Sequence, residues 1–191
     1  MTDTEQPMTK VFIGGSRHVS RLNAQVRKRI DNIIEKEFPI LIGDANGADK
    51  AVQQYLHSKH YDNVEVFCSD GICRNNIGNW EIHPVSAGTR ERNVQFYSAK
   101  DRVMAQEATV GLMMWDGKSI GTLLNVFRLL SLKKKAVIYT VPEKKFREFK
   151  SSAEWENFIE SYDMGLRREV EKRARLETPT ENLPLQASLL G

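Results

Sequence analysis

Three short stretches concentrate the residues able to do chemistry: GGSRH (Gly14 to His18), GDANGAD (Gly43 to Asp49) and WDGKSIGT (Trp115 to Thr122). Their glycines, Gly14, Gly15, Gly43, Gly47, Gly117 and Gly121, let a backbone approach a ligand closely. Backbone amides at a helix start, as at Ala48, favour an anion such as phosphate. Ser16, Ser119 and Thr122 add hydroxyl donors, and Arg17 can grip phosphate with two hydrogen bonds. Asp44, Asp49 and Asp116 suit the other end of a nucleotide, where carboxylates accept from ribose hydroxyls or base amino groups. Asn46 can join them, and Trp115 can stack on a base or fill a core.

Each turn also has a plain account, because Gly, Asn, Asp and Ser populate any strand-to-helix turn. Asp44, Asn46 and Asp116 are equally residues that cap helices and turns. Three such turns together point to a ligand site. For catalysis the leading candidates are Asp116 and Asp49, followed by Asp44, Asp101 and one of Glu81 or Glu91. A carboxylate near Arg17, Arg90 or Arg92 reads first as a surface ion pair. Phe12, Trp80 and Tyr97 are aromatics that fit either core or site. His18, His57, His60 and His83 show no spacing suggestive of a metal, so none is expected.

The elements around these turns alternate. KVFI (10–13), PILIG (39–43), NVEVFC (63–68), TVGLMMW (109–115) and KAVIYTV (135–141) read as strands. Between them lie helical patterns: Leu22, Val26, Ile30, Ile33, Ile34 and Phe38 behind a cap at Ser20, then GADKAVQQYLHS, NVQFYSAKDRVMAQEA and GTLLNVFRLLSL. Such alternation predicts an α/β fold, Rossmann-like and doubly wound, with a mainly parallel sheet of about five strands. All three turns then emerge at the carboxyl edge, where open sheets bind ligands.

Residues 69–88 break the rhythm, and RNNIGNWEI within them is expected to form a hairpin turning at Gly78. The helix after Gly121 is apolar on nearly all sides and needs a second cover, from the C-terminal segment or another subunit. From Ser152 one amphipathic helix is expected, with Gly165 as its weak point and RREVEKRAR as a solvated face. The chain thus divides into a flexible start (1–9), a Rossmann-like domain (10–150), a C-terminal helical appendage (151–176) and a flexible tail (177–191).

With 191 residues, 40% hydrophobic and 28% charged, the chain can build an ordinary core without staples. A net charge of +3 is too mild to imply nucleic acid. The polar start and the lack of a long apolar run predict no signal peptide, no membrane partner and a cytoplasmic protein. Cys68 and Cys73 read as buried or incidental thiols rather than a metal pair or disulfide. GGSRHVS lacks the third glycine of the dinucleotide fingerprint and no P-loop occurs, so no cofactor is expected.

Taken in order, GGSR, GDANGADKA and WDGKSIGT resemble the SLOG superfamily, named for the DNA-processing protein Smf/DprA and the Lonely Guy enzymes. The resemblance spans about residues 10–140 and is closest to its YspA/YpsA-like branch. It implies a Rossmann-like domain with a site for a nucleotide-derived small molecule. Lonely Guy enzymes cleave the bond between base and ribose 5′-monophosphate, and carry P-G-G-x-G-T-x-x-E with a catalytic Glu. Gly121-Thr122 match the G-T pair, Asn125 stands at the Glu, Ser119 replaces a glycine, and Lys100 stands about where their arginine does. An amide cannot serve as base or nucleophile as a carboxylate does. WDGKSIGT is also similar to a nucleoside 2-deoxyribosyltransferase motif, whose first acid matches Asp116.

The first expectation is therefore a nucleotide-binding sensor or sequestering module, in a homo-oligomer. An N-glycosidase or ribosyl transferase is the second. Nucleic-acid binding of the DprA type ranks last, because acids interleave KKK (133–135), EKKFREFK and RREVEKRAR, and no aromatic stacking pattern accompanies them.

Overall fold

The computed structural model describes residues 8–88 and 94–177. Arg90, Glu91 and Arg92, and most of both expected flexible ends, lie outside the described residues.

Strand β2 (Ile40–Gly43) is buried at every position, and β1 (Val11–Gly15) at all but its last. Both lie inside a sheet covered on two faces, which explains their lack of polar alternation. The order is β4-β3-β2-β1-β5-β6-β7, with β3 (Val64–Ser69), β4 (Glu81–Val85), β5 (Val110–Trp115), β6 (Lys135–Thr140) and β7 (Lys145–Phe149). The sheet is parallel except for β7, which runs antiparallel to β6. It is a Rossmann-like α/β fold with seven strands rather than five. The order reverses between β1 and β5, and the first and last of the three turns flank that reversal.

The two extra strands have physical reasons. No hairpin forms at Gly78. The segment crosses the end of the sheet instead, and β4 pairs in parallel with β3, Phe67 opposite His83. Trp80 anchors this crossing, its indole Nε1 donating to the Tyr61 carbonyl at 3.0 Å. A Cβ on Gly78 would stand 2.2 Å from that indole, so the glycine accommodates the ring, not a turn. In β7 the charges of KFREF hid a strand with one buried aromatic, Phe149.

Helices α1 (Ala24–Glu35) and α2 (Ala48–Ser58) follow the first two turns, and their apolar faces pack on one side of the sheet. The cap of α1 is Asn23, not Ser20: its Oδ1 accepts the Val26 amide at 2.9 Å. Val19 and Leu22 are drawn into the core before the helix starts. The other face carries α3 (Val94–Glu107) and α4 (Ile120–Ser131).

Two helices, not one, complete the chain: α5 (Ser152–Glu160) and α6 (Met164–Glu177). The break falls before Gly165, where Asp163 Oδ1 accepts the Gly165 amide at 2.7 Å and opens a new helix. Both pack on α4 and supply its second cover from within the chain. Along α6, Arg167–Glu171 and Glu169–Arg173 pair one turn apart, as on a solvated face.

Cys68 and Cys73 form a disulfide, contrary to the sequence reading. Asp70 and Gly71 both take positive φ at the end of β3, and the chain doubles back until the two Cα atoms lie 5.2 Å apart. Among the described residues no helix is long and apolar enough to cross a membrane.

Candidate functional site

Ser16 ties the three turns together. Its amide donates to Met114 O (2.9 Å), its carbonyl accepts the Ala48 amide (3.1 Å), and its hydroxyl donates to Asp116 Oδ2 (2.9 Å). The turns therefore converge on one patch of the carboxyl edge. Convergence also satisfies several groups that looked free. Asp116 Oδ1 accepts the amides of Lys118 (3.0 Å) and Ser119 (2.8 Å), two donors a phosphate would otherwise use. Burial pushes the Asp116 carboxyl up, but these amides and the Ser16 hydroxyl outweigh it and hold it below its ordinary value. Asp116 is thus a turn-forming carboxylate, poorly suited to act as a base.

Most of the glycines make room for the protein itself. A Cβ on Gly15 would stand 2.4 Å from Met114 O. Gly47 has φ +84° and would press a Cβ to 2.3 Å from Arg17 O. Gly117, at φ +86°, faces Pro142, while Gly14 lies against Phe12 and Met113. Gly121 differs, since nothing lies within 4 Å of its added Cβ. The start of α4 is open there, with Ser119 capping the helix and the buried Thr122 hydroxyl donating to Ser119 Oγ at 3.0 Å. Arg17 and Asn46 are exposed beside the patch.

Trp115 is a core residue, 1% exposed, packed edge-on against Phe158 and Tyr162. Its Nε1 donates to Ser119 O at 3.1 Å, so it braces the third turn and presents no face to a ligand. Phe12 and Trp80 are likewise core. Tyr97 sits beside the site, under the Arg74 guanidinium at 4.9 Å.

The strongest chemistry lies where the second turn meets α3. Lys100 is only 4% exposed, and its Nζ stands 3.1 Å from Asp101 Oδ1, 3.8 Å from Asp44 Oδ1 and 3.9 Å from Asp49 Oδ2. Arg74 closes over Asp44 with Nη2 at 2.8 Å, Nε at 3.0 Å and its backbone amide at 3.0 Å. Arg128, from α4, reaches Asp101 at 3.8 Å, and Asn125 Nδ2 lies 3.4 Å from the same carboxylate. Arg128 also bonds the Asn125 side-chain oxygen. Four elements thus enclose three aspartates and three cations.

Their titration differs. Burial pushes Asp49 up, the nearby Asp101 and Asp44 push the same way, and Lys100 with the Ala45 amide only partly offsets them, leaving it at about 6. Asp44 is equally subject to burial, yet Arg74 and Lys100 hold it below its ordinary value. Burial disfavours the Lys100 ammonium, but Asp101, Asp49 and Asp44 outweigh that and keep it charged. An acid near neutrality beside a fixed cation is equipped to exchange protons.

The irregular segment positions this cluster. Gln53, fully buried in α2, donates to Gly43 O (2.9 Å) and Asn75 O (3.1 Å), and its Oε1 accepts the Ile77 amide (3.0 Å). Asn75 Nδ2 donates to Asp44 O (2.8 Å) and Asn46 Oδ1 (3.1 Å). Sequence reasoning missed Arg74, Gln53 and Arg128. For Gln53 a signal existed: it lies one turn after Asp49, beside the apolar stripe of α2.

No family model, no curated protein and no solved structure matches this chain.

A cavity of about 200 Å³ opens near the first turn, lined by Val19, Leu22, Met114 and Tyr139, with Arg21 and Lys144 beside them. A larger one of about 540 Å³ lies between β7 and α5, three strands away from β1 and remote from the charged cluster. Glu81 is exposed at the start of β4 and takes no part in the cluster.

Proposed function

We propose that the chain binds a nucleotide-derived small molecule at the carboxyl edge of its sheet, as a sensor or sequestering module of the SLOG type. The ribose or base end lies against Asp44, Asp49 and Lys100, and the phosphate end at the open start of α4 around Gly121. The observation that carries this reading is the buried Lys100 ringed by three aspartates at the edge where such sheets bind ligands. Buried ion clusters contribute little net stability compared with apolar packing. Such a cluster, with one acid raised toward neutrality, at the carboxyl edge of the sheet favours a functional role.

A thermal-shift panel of nucleoside mono- and diphosphates, NAD and ADP-ribose tests the reading. Saturable stabilisation by one member is expected, with affinity reduced about tenfold or more in Asp49→Asn, the loss of one charge-assisted hydrogen bond. No response across the panel would overturn it.

A second reading, hydrolysis of an N-glycosidic bond, has one observation in its favour. Asn125 occupies the position of the Lonely Guy glutamate, yet the Asp101 carboxylate lies 3.4 Å from its side chain. A neighbouring helix therefore supplies an acid close to where the resemblance lacks one.

A further inference from the structure

At the opposite edge of the sheet, three residues distant in sequence meet on the face covered by α3. Glu65 lies near the start of β3, His83 in the middle of β4, and Glu107 ends α3. Phe67 pairs with His83, so Glu65, two residues earlier, shares its face of the sheet. One ligating atom from each of the three lies within 4.8 Å of the others.

The His83 ring is fixed by Phe67, with centroids 4.8 Å apart. Its Nδ1 is shut off from solvent and makes no hydrogen bond among the described residues. Glu65 Oε2 stands only 2.9 Å away, off the line that a ring N–H would take. A simple histidinium–glutamate pair would align its N–H with the carboxylate. A nitrogen lone pair and carboxylate oxygens gathered within 4.8 Å of one another instead suit a cation between them.

We propose that Glu65, His83 and Glu107 bind a divalent transition metal of the zinc class. Imidazole nitrogen and carboxylate oxygen are both ligands of such an ion, and three protein ligands leave the fourth position for water. Bonds of about 2.0–2.2 Å place tetrahedral ligand atoms about 3.4 Å apart. Rotation of the exposed Glu107 side chain closes the remaining distance. Two carboxylates leave a negative surplus that Lys10, 3.7 Å from Glu65 Oε1, offsets only in part. Lys134 is held on the last carbonyls of α3, at 2.9 Å from Ala105 O, and does not fill the site. The metal would clip β4, a mostly exposed edge strand, to β3 and to α3. It is separate from the ligand cluster, whose Lys100 and Asp101 lie near the middle of α3.

Calorimetric titration of zinc into the full-length, oxidised chain tests this, with magnesium as the comparison ion. One equivalent of zinc should bind and raise the melting temperature, and magnesium should do neither. His83→Ala should weaken zinc binding at least tenfold, about the smallest loss expected when a metal's immediate surroundings are disturbed. His57→Ala should leave it unchanged. His83 and Glu107 are surface-accessible, so Glu107→Gln gives a second variant that leaves the fold intact; it too should weaken binding. Absence of a zinc isotherm, or binding unaltered in both His83→Ala and Glu107→Gln, would overturn the proposal.

Discussion

Gly43 lacks a side chain where Lys100 needs the space: an added Cβ would stand 2.4 Å from the Lys100 Nζ and 2.5 Å from Asp49 Oδ2. The glycine of the second turn is thus required by the charged cluster itself. Gly43→Ala should push the ammonium off its aspartates, costing about 1–3 kcal/mol as an overpacked buried site. Gly121→Ala, into open space at the start of α4, should be neutral or stabilise by up to about 1 kcal/mol. Urea unfolding of the two variants separates these outcomes.

Lys100 itself compensates three carboxylates. Lys100→Met keeps much of the volume and removes the charge, leaving Asp49 buried with like-charged neighbours. Breaking a buried ion cluster on one side costs about 3–5 kcal/mol. The loss should be largest at neutral pH and shrink in acid as Asp49 takes up its proton. A loss that does not vary between pH 7 and pH 4 would contradict this account of the cluster.

How much of this was legible beforehand follows from what sequence patterns encode. The doubly wound order and the three turns were readable because buried strands, helical periodicity and glycine turns are local signals. Asp44 and Asp49 were readable for the same reason. Arg74, Gln53 and Arg128 were not, because their roles arise from packing among loop 70–80, α2 and α4. Trp115 misled for the converse reason: an aromatic at a strand end looks alike whether it faces a ligand or Tyr162. β4 and β7 escaped notice because an edge strand needs few apolar residues, and KFREF shows only one that is buried.

The raised Asp49 gives a pH signature with a definite sign. Its value of about 6 in the folded chain exceeds the ordinary 3.8. Between those pH values the native state holds a proton that the unfolded chain has released. This contribution to stability is full below 3.8 and is lost as pH rises through about 6, a change of about 3 kcal/mol. Asp49→Asn removes it. Relative to the wild type, the variant should therefore gain stability between pH 4 and pH 7. Asp44, held low by Arg74, acts in the opposite direction and is common to both proteins. Denaturant titrations at half-unit pH intervals would show the difference.

Reduction of the Cys68–Cys73 bond should loosen the residue that follows it. The bridge closes a short loop, with a sequence separation of 5, and loop-closure entropy puts its contribution at about 2 kcal/mol. Arg74 comes next, and its amide donates to Asp44 Oδ2 at 3.0 Å. Hydrogen exchange at that amide should accelerate under reducing conditions, while amides of β1 and β2 stay protected. Equal protection in both redox states would mean that Gln53 and Asn75 hold the loop without the bridge.

Binding and hydrolysis are separated by Asp101. Its carboxylate contacts Lys100 at 3.1 Å and lies 3.4 Å from Asn125, so Asp101→Asn preserves shape while removing the acid. If the site hydrolyses an N-glycosidic bond, release of free base should fall about 10²- to 10⁴-fold, the usual contribution of a positioned acid or base. Affinity for the intact nucleotide should change little, since Asp44 and Asp49 remain. Base release is read by chromatography and binding by calorimetry on the same preparation. Binding without release in the wild type would eliminate hydrolysis and leave the sensor reading standing. Release that survives Asp101→Asn would shift the catalytic role to Asp49, a carboxylate whose surroundings keep a proton within reach near neutral pH.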